Sequence, residues 1–122
     1  MNTGRKITGG KYHARRKIRK HERMRQEREV TLGEPKAKTI KITGGSERKV
    51  LLKSNIANII VKGKAKKAEI KNVELTPQNK FLARENRLVK SAVIDTSLGK
   101  ARITNRPSRE GHVNAVLLEN AQ

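Results

Sequence analysis

Glycine and lysine residues near the amino terminus are the first candidates for chemistry in this chain of 122 residues. Gly9-Gly10-Lys11 could expose backbone N–H groups to a phosphate, with the lysine adding positive charge. A nucleotide-binding phosphate loop also needs an earlier glycine and a Ser or Thr after the lysine, but Arg5 and Tyr12 stand there. Two interpretations stay open: the glycines let the backbone lie against a polynucleotide, or they form a hinge without contacts.

Titratable side chains form no recognisable catalytic or metal-binding set in the sequence. His13, His21 and His112 occur in a chain without cysteine, so no zinc-binding pattern is indicated. Asp95 is the single aspartate, and the sequence places no histidine or lysine partner beside it for acid–base catalysis. We therefore expect neither an enzyme nor a metalloprotein, and no cofactor or small-molecule substrate.

The net charge of +19, from thirty Lys or Arg and eleven Asp or Glu, is the strongest signal. A field of that sign concentrates anions, so the candidate partners are nucleic acid, an anionic membrane surface or an acidic protein. No apolar run approaches the roughly 18 to 20 residues that cross a bilayer, and no signal peptide is evident. The lack of cysteine is compatible with a reducing compartment. We expect a soluble protein that is not secreted.

A basic arm occupies the first part of the chain. Through Glu29 it carries eleven Lys or Arg against three Glu and has almost nothing apolar to bury. It therefore cannot offset the entropy of ordering, and we expect a polyanion to order it. Tyr12, Ile18 and Met24 recur six residues apart and so gather on no single helix face, which disfavours a transit peptide or a membrane-surface helix. Gly33-Glu34-Pro35 then marks a linker, so we predict an arm with linker over 1–35 and a body over 36–122.

The body alternates apolar and polar residues with a period of two, which predicts half-buried strands. We expect a mainly β fold: a small, closed or nearly closed antiparallel barrel of about six strands, with Phe81 as the one aromatic in its core. Thr76-Pro77 predicts the start of one short helix over 78–85, and 63–67 is predicted to be a basic loop. A bulge is expected between Ile70 and Val73. The predicted strands are a hairpin of 38–43 and 48–53, followed by 56–62, 68–75, 92–95, 100–104 and 112–118.

Binding through phosphates follows from the shortage of aromatic residues. Tyr12 and Phe81 are too few for the stacking platforms of single-strand binders, so we expect lysine and arginine to recognise the backbone and shape of folded RNA. The candidate RNA-binding residues are Arg5, Lys6, Gly9, Gly10, Lys11, Tyr12, His13, Arg15, Arg16, Lys17, Arg19, Lys20, Arg23, Arg25, Arg48, Lys49, Lys64, Lys66, Lys67, Arg84, Arg87, Lys100, Arg102 and Arg106.

Several sequence blocks carry a family resemblance that spans nearly the whole chain. The most specific is Leu98-Gly99-Lys100-Ala101-Arg102-Ile103-Thr104-Asn105-Arg106-Pro107, followed by Gly111 and Val113-Asn114-Ala115-Val116-Leu117. Others are Thr8-Gly9-Gly10-Lys11, Leu32-Gly33-Glu34-Pro35, Gly44-Gly45 with Lys49-Val50, Ala57-Asn58-Ile59, and Thr76-Pro77-Gln78-Asn79 with Ala83-Arg84. With these blocks the chain resembles small-subunit ribosomal protein eight of the eukaryotic and archaeal type, and its length fits the archaeal form.

The resemblance implies a barrel-like β body bound to small-subunit rRNA, with the basic arm threaded into the RNA. It also implies a cytoplasmic ribosomal location beside other ribosomal proteins, with no membrane partner. The chain departs from the family pattern in the longer segment before Pro35 and at Ser46 after Gly44-Gly45. Two alternatives stay open: a ribosome assembly factor with a related body, and a DNA-compacting architectural protein.

Overall fold

Alternating apolar and charged residues build two β-sheets and one short helix in the computed structural model, which describes residues 4–13, 15–24 and 27–118. The chain order is β1 (Thr31–Leu32), β2 (Lys36–Lys41), β3 (Glu47–Ser54), β4 (Ile56–Val61), β5 (Lys64–Leu75), α1 (Lys80–Arg84), β6 (Val93–Thr96), β7 (Gly99–Ile103) and β8 (Asn114–Leu117). The predicted mainly β fold with one short helix is thus confirmed for the part of the chain that the structure describes.

A closed barrel of five strands, in the order β4-β5-β6-β7-β8, forms the larger unit. Its neighbours pair antiparallel except for β4 and β8, which close the barrel as a parallel pair. The other three strands form a separate sheet in the order β1-β3-β2, where the predicted hairpin of β2 and β3 is present. The barrel is therefore smaller than the expected six strands, because the hairpin lies outside it.

Aliphatic side chains fill the core. Ile59, Leu88, Ile94, Ile103 and Ala115 are almost fully buried, and they come from four barrel strands and the segment after α1. The residues that alternate with them along these strands are half-buried or exposed, as the period of two requires. Burial of such side chains is the main stabilising contribution to a body of this size.

The prediction that Phe81 lies in the core is wrong, since the residue is 63% exposed. α1 has only five residues and packs against β5. Ala83 packs against the core and lies two positions after Phe81, which is a rotation of about 200° around a helix. Phe81 is therefore on the outer face.

The predicted helix start at Thr76 is also wrong, because Asn79 caps α1. The Asn79 side-chain oxygen accepts a hydrogen bond from the Phe81 N–H at 3.0 Å. Asn86, with φ of 53°, ends the helix, and its N–H donates to the Ala83 carbonyl at 3.0 Å. Thr76 is instead buried after the end of β5.

The predicted loop over 63–67 is a strand. β4 and β5 are joined by Lys62-Gly63 alone, and Val61 pairs with Lys64. Both turn residues have positive φ, 46° and 78°, as a two-residue hairpin turn of the primed type requires. β5 therefore runs through the lysine-rich segment. The bulge expected further along β5 is confirmed by the register shift between Ile70 and Asn72.

The last residues of the predicted linker pack on the body. Val30 is 2% exposed, and its carbonyl accepts a hydrogen bond from the Leu88 N–H at 2.8 Å. β1 then pairs parallel with the end of β3. The division at residues 35 and 36 stays a prediction, but these contacts anchor the arm at Val30. None of the helices described is long and apolar enough to cross a membrane.

Candidate nucleic-acid interface

A tight turn shapes the start of the basic arm. The Gly9 N–H donates to the Lys6 carbonyl at 2.9 Å, and the Lys6 N–H donates to the Gly10 carbonyl at 2.9 Å. Gly9 has φ of 80°, a left-handed conformation that glycine adopts without strain. Arg5 and Lys11 thus pair across the turn as an isolated antiparallel bridge. The turn places cations on both sides of a glycine tip.

A second turn in the arm is organised by Glu22. Its carboxylate accepts hydrogen bonds from the Arg16 guanidinium at 2.8 and 2.6 Å and from the Arg19 N–H at 3.0 Å. The Arg16 side chain, followed by the Arg19 N–H, lowers the pKa of Glu22 from its ordinary value. Arg16 is therefore neutralised locally, while the cations around it remain exposed.

The β4–β5 ribbon, residues 60–67, forms a second cationic surface. Lys62, Lys64, Lys66 and Lys67 lie on it and are all exposed. Cross-strand partners share one face of a sheet, so Lys66 lies on the same face as Ile59, and Lys67 on the same face as Asn58. The ribbon therefore presents lysine on both faces, which suits contact with phosphates on two sides.

A cleft between β3 and the loop that precedes β8 forms a third cationic surface. The Leu51 N–H donates to the Glu110 carbonyl at 3.1 Å, which holds the loop against the strand. The Glu110 carboxylate accepts from Asn105 Nδ2 at 2.8 Å and is the one acid of the cleft. The lining residues are Arg48, Lys49, Arg109, Glu110, Gly111 and His112.

Like charges also face each other on the β2–β3 hairpin. Lys36 lies directly opposite Lys53 in the antiparallel register. Such a pair destabilises a sheet when no anion is present. A phosphate between the two ammonium groups would remove that repulsion.

Two cations of the body are held in ion pairs. Lys100 Nζ lies 2.6 Å from Glu74 Oε1, and this hydrogen bond raises the pKa of Lys100. Arg87 contacts Glu29 at 2.9 Å and Glu85 at 2.6 Å. These two side chains are therefore less free to bind phosphate than Arg102 or Arg106, which are exposed.

Metal-binding chemistry finds no support within the described ranges. No three His, Asp or Glu side chains among these residues lie together in an arrangement that could hold a metal ion. His21 and His112 each lie near one glutamate instead, at 3.8 and 3.6 Å.

Comparison with known proteins decides the family. A family model described as Ribosomal protein S8e matches residues 1–118. The chain belongs to the ribosomal protein S8e family. The predicted resemblance is thus confirmed, and because this is a family of ribosomal proteins and not of enzymes, the chain is not an enzyme.

Members of the ribosomal protein S8e family from archaea are similar over almost their whole length. The small ribosomal subunit protein eS8 of Methanocorpusculum labreanum is 40% identical, over 94% of this chain and 94% of its own length. That of Haloquadratum walsbyi is 38% identical over 96% and 94%, and that of Methanocella arvoryzae is 40% identical over 93% and 93%.

The predicted contact residues of this S8e chain are spread over the arm, ribbon, cleft and barrel wall. The arm carries Arg5, Lys6, Gly9, Gly10, Lys11, Tyr12, His13, Arg15, Arg16, Lys17, Arg19, Lys20 and Arg23, and Arg25 lies outside the described residues. The ribbon carries Lys64, Lys66 and Lys67, and the cleft carries Arg48 and Lys49. Arg84, Arg87, Lys100, Arg102 and Arg106 lie on α1, on barrel strands or in loops.

Lys62 and Arg109 are candidate contact residues that sequence reasoning missed, and the structure adds His112 to the cleft. The sequence signal for the cleft is Gly111, because a Cβ there would lie 3.4 Å from Lys49 Cγ. Gly111 thus marks a place where a loop lies close to a basic strand.

Proposed function

We propose that this chain is a structural component of the archaeal small ribosomal subunit, in the cytoplasm, where it binds and stabilises small-subunit rRNA. The observation that carries the proposal is its membership of the S8e family together with relatives named as small ribosomal subunit proteins. Neighbouring ribosomal proteins and rRNA are its expected partners.

The mechanism is electrostatic. Through Glu29, the described part of the arm has ten Lys or Arg against three acids, Glu22, Glu27 and Glu29, and its residues are exposed. Lysine and arginine on such a segment replace the counterions of RNA phosphates and hold neighbouring RNA strands together. The hydrogen bond at 3.0 Å from Arg28 Nε to the Ser108 carbonyl, with Val30 buried beside it, sets where the arm leaves the body.

The first test measures the affinity of the full chain for transcribed archaeal small-subunit rRNA at several salt concentrations. If about eight cations contact phosphate, log affinity falls with log salt at a slope of about −0.7 for each contact. Bound RNA is also expected to raise the unfolding temperature. A nearly salt-independent affinity would contradict the electrostatic mechanism.

A second test distinguishes the proposal from its two alternatives. Tagged protein in an archaeal lysate is expected to sediment with mature small subunits on a sucrose gradient. Sedimentation with large-subunit precursors would indicate the assembly factor, and release by DNase alone would indicate the DNA-compacting protein.

A further inference from the structure

An exposed aromatic ring on the outside of the barrel is unusual in a chain whose only aromatic residues are one Phe and one Tyr. Phe81 is 63% exposed, although a phenylalanine side chain gains most from burial. The Arg84 guanidinium carbon lies 5.7 Å from the centre of the ring, within the range of a cation–π contact. Arg84 covers part of the ring and leaves the rest open to a ligand.

The charges around Phe81 favour an anionic ligand. The nearby acids are engaged elsewhere: Glu85 contacts Arg87 at 2.6 Å, and Glu74 contacts Lys100 at 2.6 Å. Among the described residues, Lys80 and Arg84 make no ion pair within 4.0 Å, and both are exposed. α1 therefore carries a ring between two cations that are free to bind phosphate.

Phe81 is also held in place before any ligand binds. Its N–H donates to the Asn79 side chain at 3.0 Å, and its carbonyl accepts from the Glu85 N–H at 3.2 Å. Both ends of α1 are capped, and the helix packs on β5. These contacts fix the backbone of Phe81, so a flat partner that stacks on the ring need order only the side chain.

We propose that Phe81 is a stacking platform for one unpaired base of the bound RNA, with Lys80 and Arg84 contacting the phosphates on either side of that base. The proposal rests on the proposed function and deepens it. Stacking on an aromatic ring tolerates every base, and cations beside the ring match a nucleotide better than an apolar protein surface. Phe81 would thus contact the base of a nucleotide. The remaining basic residues of the protein contact phosphates and recognise the shape of the RNA.

The test compares Phe81→Leu, which keeps an apolar side chain, with Phe81→Tyr, which keeps the ring. The probes are small-subunit rRNA transcribed from Methanocorpusculum labreanum sequence and a fully paired RNA duplex. We expect Phe81→Leu to bind the rRNA about tenfold more weakly and Phe81→Tyr to bind within about twofold of the original chain. Both variants are expected to bind the duplex equally, because it offers no unpaired base.

The salt dependence separates stacking from charge. Phe81→Leu is expected to lower the rRNA affinity at every salt concentration without changing the slope of log affinity against log salt. Arg84→Gln is expected to make that slope shallower by about 0.7. Leu98→Ala, which changes another exposed apolar residue, serves as a control with unchanged affinity. The unfolding midpoint of each variant shows that it is folded.

A Phe81→Trp variant provides a direct readout, since a stacked base quenches tryptophan fluorescence when rRNA is added. If the original chain binds rRNA but Phe81→Leu binds equally well and Phe81→Trp is not quenched, the stacking proposal is wrong and a protein surface becomes the better partner for the ring. If the original chain itself fails to bind rRNA, the proposed function is what fails.

Discussion

Single side chains show where the positive charge of this protein is free and where it is already paired. Arg16 and Lys100 each donate to a glutamate, so a count of basic residues overstates the cations that RNA can reach. Exposed ion pairs of this kind contribute little stability, because water screens them and both side chains lose freedom. Their effect is on local geometry, on the pKa of Glu22, which Arg16 lowers, and on the pKa of Lys100, which Glu74 raises.

The turn that Glu22 organises in the arm is expected to depend on pH. The pKa of Glu22 is lowered by Arg16 and the Arg19 N–H, so the turn is favoured above the ordinary pKa of glutamate and is lost as pH falls through the lowered value. Carboxyl carbon chemical shifts measure this titration by NMR. Arg16→Gln is expected to move the midpoint of Glu22 upward, and an identical midpoint in both proteins would contradict the contact.

Burial decides the effect of an isoleucine substitution. Ile94 is fully buried and Ile60 is 46% exposed, although both lie on barrel strands. Ile94→Ala is expected to lower the free energy of unfolding by about 2–5 kcal/mol, because it removes contacts and leaves a cavity. Ile60→Ala, the matched control, is expected to cost about 1 kcal/mol or less in the same urea titration. Equal losses would mean that the barrel interior is not packed as described.

The elements of this fold carry cations on surfaces that differ in rigidity. The β4–β5 ribbon continues the ladder of the barrel, whereas the described part of the arm before Arg28 is ordered by two local turns. A lysine on a paired strand is held near a fixed position by its backbone, so it contributes to orientation as well as to charge. The ribbon is therefore expected to define how the body sits on RNA.

A triple variant tests the ribbon by replacing Lys64, Lys66 and Lys67 with Gln. The slope of log rRNA affinity against log salt is expected to become shallower by about 0.7 for each lysine that contacts phosphate. The fold should persist, because all three side chains are exposed. Lys100→Gln is the control: its ammonium is held by Glu74, so the slope should change much less. A triple variant with the slope of the original chain would exclude the ribbon from the interface.

At the scale of the whole molecule, a body with an aliphatic core bears a strongly basic arm. The arm joins the body through Val30, β1 and the contact between Arg28 and Ser108. Because most of the body's stability comes from buried side chains, we expect the body to fold without the arm upstream of these contacts. Two truncations test where the folding unit begins.

Removal of residues 1–24 is expected to leave the β signal in circular dichroism and the unfolding midpoint unchanged, while most of the rRNA affinity is lost. Removal of residues 1–32 also deletes Val30 and β1, and is expected to cost about 2 kcal/mol or more, the burial of one valine and the contacts of a short strand. If removal of residues 1–24 already unfolds the body, the arm stabilises the fold through contacts other than those described here.

Particular residues show which parts of the fold and of the candidate interface could be predicted from the sequence. The alternation over 38–43 and the turn glycines Gly44-Gly45 predicted the hairpin, because both signals are local. The strand over 64–67 was missed, since a lysine-rich segment resembles a loop until Val61 pairs with Lys64 across the turn. The cleft with Arg109 and His112 was missed for the same reason: it joins residues that are about sixty positions apart in the chain.

The sequence by itself determined the charge, the basic arm, the mainly β fold and the family, because composition, period and motif are properties of the chain. Only the tertiary structure decided that the barrel has five strands, that Val30 belongs to the core and that Phe81 faces solvent. The physical reason is that strand order and helix orientation are set by which apolar faces bury each other. Those contacts join residues distant in the chain, so no local pattern specifies them.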